Sequence, residues 1–169
     1  MTAQQRFEAI YCEHAAAVHR YALRRMQPGE AEDIVAEVFL IVWRRLEDVP
    51  AEPRGWLLGV ARRVVSNRRR SDQRRAALRE RVAAAVGGEE AAAGSGQLAQ
   101  ALLSLPEADR EALTLIAWDG LSHREAARAL GVREGTFAVR LSRARRRLAR
   151  ALAASQEPTK TTTTPLEAR

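Results

Sequence analysis

Apolar residues recur at intervals of three and four along most of this chain, the spacing of helices that each bury one face. A first helix is expected over 3–26, with Phe7, Ile10, Tyr11, His14, Val18 and Ala22 on its core side and Gln27-Pro28-Gly29 ending it. A second follows over 30–46 with a regular stripe of Ala31, Ile34, Val35, Val38, Phe39, Val42 and Leu46. Pro50 and Pro53 bracket an acid-rich loop. A third helix then starts near Arg54 and runs to about Gln73, burying Trp56, Leu57, Val60, Ala61, Val64 and Val65. Three helices of this length make one domain, over 1–75. Residues 76–97 weaken into alanine, glycine and glutamate and read as a flexible linker, partly helical at its start.

A second domain is expected over 98–154, opening with a helix to about Ser104. Leu105-Pro106-Glu107 starts another, running through Trp118. Ser122 followed three residues later by Glu125 is a capping box, so a further helix opens there and Gly131 breaks it. The last helix begins between Arg133 and Thr136. Two short helices joined by a glycine-bearing turn, the second heavily basic, predict a helix-turn-helix. The fold class is therefore all-α, two small helical domains of which the second holds the helix-turn-helix. Residues 155–169, with the run Thr161 to Thr164, hold too few apolar groups to fold alone and read as a disordered tail.

Composition narrows the function classes. One cysteine, Cys12, excludes an internal disulfide framework and a cysteine-based zinc site, and reads as a small packing residue. His14, His19 and His123 are too dispersed for a metal motif. No glycine-rich phosphate loop or nucleophile elbow is present, so neither a catalytic centre nor a cofactor is expected. No apolar run is long enough to cross a membrane, and no basic-then-apolar leader opens the chain, which points to a cytoplasmic protein. The net charge is +7, and Lys160 is the only lysine. Residues 62–81 hold nine arginines against Asp72 and Glu80, and residues 133–150 hold seven against Glu134. Residues 30–52 instead hold seven acids against Arg44 and Arg45. Two basic patches and one acidic patch imply polyanion contact at two places and a different partner at a third.

Helical spacing assigns faces within each patch. In the last helix Phe137, Leu141, Ala144 and Leu148 should face the core. Gly135, Val139, Ser142, Arg143 and Arg146 then face outward, with Ala138 and Arg140 on the flanks, and this face would enter a major groove. Arg143 suits bidentate contact to guanine, Arg140 and Arg146 suit phosphates, and Ala138 and Val139 can touch thymine methyls. Thr136 sits at the helix start, where free amides face phosphate. On the third helix Arg62, Arg63, Ser66, Arg69 and Arg70 point outward with Asn67 at the edge, a face that would follow a nucleic-acid backbone. On the second, Asp33, Glu37, Leu40, Arg44 and Glu47 face outward, and an apolar anchor ringed by charge suits a protein partner bearing arginines.

Three segments in this order are recognisable together. Residues 30–46, EAEDIVAEVFLIVWRRL, resemble the core-polymerase-binding segment of bacterial sigma factors. RGWLLGVARRVVSNRRR at 54–70 resembles their promoter-melting and −10-recognition helix. LLSLPEADREALTLIAWDGLSHREAARALGVREGTFAVRLSRARRRL at 102–148 resembles their −35-binding domain. Two domains and a short linker make the chain similar to the extracytoplasmic-function (ECF) group of the sigma-70 family. The resemblance implies that Asp33, Glu37, Leu40 and Arg44 meet the clamp helices of the largest polymerase subunit. Residues 47–54 would capture a flipped −10 base, and stabilising that base offsets an unstacking cost of a few kcal/mol. Arg62, Arg63, Asn67 and Arg69 would hold the displaced strand and its phosphates. Ala138, Val139, Ser142 and Arg143 would read the −35 duplex. The implied partners are core RNA polymerase and promoter DNA, with an anti-sigma factor as a further candidate and no membrane. The family often carries a basic residue and then serine after its Gly-Thr motif; Ala138 and Val139 stand in the corresponding stretch here, which implies more methyl-directed reading. The competing reading is a stand-alone helix-turn-helix regulator, which leaves the acidic helix and the second basic patch unexplained.

Overall fold

The computed structural model describes residues 2–82 and 96–156, and seven α-helices carry most of the described residues. Helix α1 (Ala3–Leu23) starts where Thr2 Oγ1 accepts the Gln5 N–H and the Gln5 side chain accepts the Thr2 N–H in return. It stops three residues earlier than its apolar pattern, because Arg25 and Met26 both turn back to the Ala22 carbonyl. Helix α2 (Pro28–Arg44) has proline in its first turn, where the missing N–H costs nothing, and the Glu30 carboxylate accepts the Gln27 N–H. A single 3-10 turn (Leu46–Asp48) follows it.

Helix α3 (Arg54–Val82) continues well past Gln73. The added residues are mostly arginine, alanine, leucine and glutamate, all strong helix formers, so composition extends the helix after its apolar stripe has faded. The first part of the expected linker is thus helical, and the rest lies outside the described residues, as does the tail beyond residue 156.

Helices α4 (Gln97–Leu103), α5 (Glu107–Ala117), α6 (His123–Leu130) and α7 (Glu134–Gln156) build the second unit. The expected stripes are buried: Ala31, Ile34, Val38, Phe39 and Val42 on α2, Leu57, Val60, Ala61, Val64 and Val65 on α3, Phe137, Leu141 and Ala144 on α7. Tyr11 lies at the rim instead, with its ring edge-on to Phe39 at 4.7 Å, and Phe7 meets Trp43 at 5.2 Å. Cys12 corrects the sequence reading. It is exposed, since two residues past Ile10 is about 200° around the helix and points away from the core. No helix among the described residues is long and apolar enough to cross a membrane.

The two units are packed together. Helix α3 lies against α6, and Gly55 and Gly59 mark the contact. A Cβ at Gly55 would sit 2.6 Å from the Glu125 carbonyl oxygen, and one at Gly59 would sit 3.2 Å from that of Ala129. Only glycine lets the two backbones approach so closely. Leu58, between them on the same face, is fully buried. Helix α3 is thus covered on two sides, whereas its apolar stripe specified one.

Candidate nucleic-acid interface

The helix-turn-helix forms through local bonds. Ser122 Oγ accepts the Glu125 N–H at 3.2 Å while the Glu125 carboxylate accepts the Ser122 N–H at 2.8 Å. Gly131 ends α6 at φ 67°, a left-handed conformation that glycine adopts without a Cβ penalty. Phe137, Leu141 and Ala144 then anchor α7, and Thr136, Ala138, Val139, Ser142, Arg143 and Arg146 are exposed, with Arg140 half-buried. Beside this face a groove of about 490 Å³ is lined by Asp109, Gly135, Thr136, Val139, Arg140, Arg143 and Arg147. Arg147, absent from the sequence-derived set, forms an ion pair with the buried Asp109 carboxylate. Its signal was the spacing of Thr136, Arg140, Arg143 and Arg147, which share one face of the helix. Arg146 does not line the groove.

On α3, Arg63, Ser66, Asn67, Arg69 and Arg70 are exposed. Arg70 Nη2 donates to Asn67 Oδ1 at 2.8 Å, so the two act as a pair. Arg69 Nη2 donates to the Arg25 carbonyl at 2.6 Å and ties this face to the end of α1. Arg62 departs from the outward placement. It is half-buried, and its Nε donates to Glu111 Oε1 of α5 at 2.8 Å. Burial disfavours its charge, but the hydrogen bond and charge of Glu111 outweigh that and hold the guanidinium more firmly protonated than usual.

Further contacts across the seam converge on Asp119, just past α5, whose side chain is only 1% exposed. Arg24 pairs with one of its carboxylate oxygens, Arg25 lies 3.5 Å from the other, and Arg54 donates to its carbonyl at 2.6 Å. Arg25 also donates to Thr114 at 3.1 Å and lies 3.6 Å over the Tyr21 ring. Tyr21 is buried here, which pushes its phenol pKa up to about 12 despite the adjacent Arg25.

The 47–54 loop is pinned from both units. Arg6 donates to the Val49 carbonyl at 2.6 Å, and Arg128 of α6 donates to the Glu52 carbonyl at 3.0 Å. On α2, Asp33, Glu37, Leu40 and Arg44 are all exposed, and Arg68 pairs with Asp33 at 2.9 Å. Leu40 and Trp43 are each 48% exposed, which makes Trp43 a second apolar group near this face that the charge pattern did not single out.

Comparison with known proteins follows the same division. Residues 10–75 match the family model of sigma-70 region 2, and residues 95–148 match that of sigma-70 region 4. The ECF RNA polymerase sigma factor SigL of Mycobacterium tuberculosis is 43% identical over 61 residues, which span 34% of this chain and 34% of that protein. Among solved structures, CnrH in complex with the cytosolic domain of CnrY superposes with a TM-score of 0.63 at 25% identity, covering 90% of this chain and 91% of the other. The sigma factor RpoE in complex with the anti-sigma factor NepR from Bartonella quintana gives 0.60 at 26% identity, covering 89% and 98%. With region 2 and region 4 models matched in order along one chain, this protein belongs to the sigma-70 family of RNA polymerase sigma factors.

Proposed function

We propose that this chain is an ECF-type sigma factor that binds core RNA polymerase, recognises −10 and −35 promoter elements and promotes transcription initiation. It works by binding, without a catalytic centre of its own, in the cytoplasm. The observation that carries this reading is the coexistence of two arginine-rich faces and one acid-rich face on one two-region chain. The exposed Asp33, Glu37, Leu40 and Arg44 offer an apolar anchor ringed by charge to the clamp helices of the polymerase. The α3 arginines suit a displaced strand, because guanidinium forks match phosphate oxygens and need no base identity. The open face of α7 suits a major groove, with Arg143 as the guanine reader, Val139 and Ala138 against thymine methyls, and Arg140 and Arg147 toward the backbone.

An anti-sigma factor is a further proposed partner, supported by the two solved neighbours, one in complex with an anti-sigma factor and the other with the cytosolic domain of CnrY. A stand-alone helix-turn-helix regulator accounts for α6 and α7 but leaves the region 2 match without a role.

The test is transcription in vitro from a promoter library with purified core polymerase and this chain. Sequence-specific transcripts that depend on the chain are expected, and their absence together with failure to bind core enzyme sinks the reading. Leu40→Arg should abolish core binding while leaving duplex binding through α7 intact. Equal loss of both would remove the division of labour.

A further inference from the structure

The groove beside the open face of α7 holds one buried acid among its arginines. Asp109, in the first turn of α5, is only 6% exposed, yet it lines the same groove as Arg140, Arg143 and Arg147. Arg147 Nη1 donates to Asp109 Oδ2, while the Arg147 side chain stays 53% exposed. A guanidinium carries five N–H donors in a rigid fork, so one bond to Asp109 fixes its direction and leaves the others for a ligand in the groove. Arg140 and Arg143 make no side-chain hydrogen bond or ion pair among the described residues.

This arrangement acts on two kinds of DNA binding in opposite directions. Binding to any duplex follows the net charge of the groove, and Asp109 cancels one of its three guanidinium charges. Binding to a chosen sequence depends on register, which phosphate contacts set before base edges are read. A guanidinium already held in place loses less side-chain freedom on meeting its phosphate, so the register is fixed at lower cost and Arg143 is carried to one base position. One carboxylate thus weakens indiscriminate binding and favours placed binding. We propose that Asp109 is a positioning residue that sets the sequence specificity of the α7 face, acting through Arg147. This role rests on the reading of α7 as the −35 helix.

The test is fluorescence anisotropy of the full chain with two labelled duplexes of equal length at a single salt concentration. One duplex is enriched from a random library by the parent chain, the other is of mixed sequence, and the quantity read is the ratio of the two affinities. Asp109→Asn should lower that ratio about fivefold, tightening the mixed duplex about twofold and weakening the enriched one by the rest. Loss of a merely structural tie would weaken both duplexes together and leave the ratio unchanged. Arg147→Lys keeps the charge and a partner for the buried carboxylate but loses the planar fork. It should lower the ratio as well and absorb most of the effect of Asp109→Asn added to it. Thermal melting identifies the variants that fold like the parent. An unchanged ratio in a folded Asp109→Asn chain, or in Arg147→Lys if the first variant does not fold, overturns the specificity role. An undiminished effect of Asp109→Asn in the Arg147→Lys background overturns action through Arg147. Arg143→Ala separates the levels: if it lowers the ratio and Asp109→Asn does not, only the role of Asp109 fails, and if neither does, the −35 reading of α7 falls with it.

Discussion

Helices α3 and α7 present similar sequences to inspection, each with one apolar stripe and one arginine-rich face, yet the structure treats them differently. Helix α7 packs its stripe against α4, α5 and α6 of its own unit and leaves the opposite face open. Helix α3 buries its stripe against α1 and α2 and then turns Gly55, Leu58 and Gly59 toward α6, with Arg62 paired to α5. On α7 the outward Arg143 and Arg146 are exposed and Arg147 is tied within its own unit to Asp109, whereas on α3 Arg62 is tied across to the other unit. Charge and periodicity describe the two alike; the contact that α3 makes with the other unit separates them.

Mutations can break or sharpen this contrast. The largest effect is expected within α7, where Phe137→Ala should destabilise the second unit by about 3–5 kcal/mol, measured by chemical denaturation, because a fully buried ring leaves a cavity. Val139→Ala on the opposite face should change stability by no more than about 0.5 kcal/mol. Comparable losses would mean that α7 is not a two-faced helix.

Next comes the seam. Gly55→Val drives a branched side chain into the Glu125 backbone, so the two units should separate and the radius of gyration from small-angle scattering should rise. A chain that stays equally small would show that the glycine seat does not hold the units together.

Within the open face, Arg143→Ala should cost about 1–3 kcal/mol of DNA affinity and relax one base position in a selection experiment. Uniform weakening across sequences would make Arg143 a phosphate contact like its neighbours Arg140 and Arg147 in the groove.

The smallest effect is a pH dependence. His14 is buried, its Nε2 has no hydrogen-bond partner, and the nearest carboxylate oxygen, from Glu13, lies 3.7 Å away. Burial lowers its pKa below 6.5, Arg54 adds to that, and Glu13 and Glu125 oppose it. A group whose folded pKa is depressed binds more protons when unfolded, so its contribution is present above pH 6.5 and is lost as the pH falls below that value. His14→Leu should therefore flatten the loss of stability between about pH 7.5 and about pH 5.5 in urea unfolding. An unaltered slope would place the acid sensitivity elsewhere.

Most helix starts and core positions, the capping box at Ser122 and the left-handed turn at Gly131 were legible in the sequence, whereas the extension of α3 and the exposure of Tyr11 were not. The outward face of α7 was legible too. Each legible feature depends on residues within one or two turns of each other, where the 3.6-residue period and the capping chemistry act directly. Arg147 shares the helical face of Thr136, Arg140 and Arg143, but its tie to Asp109 links positions on two helices, which no local period carries. The exposure of Cys12 was misjudged for a simpler reason, since its place on the helix wheel already pointed away from Ile10.

The sequence by itself determined two helical units, a helix-turn-helix and the sign of charge on each face. The tertiary structure alone decided which of those charges are free. Gly55 and Gly59 meet α6 residues about 70 positions away, and Arg24, Arg25 and Arg62 meet acids at least 49 positions away. No local period encodes such pairings. They arise when two preformed surfaces fit, and the fit depends on close backbone approach and matched charge across the seam.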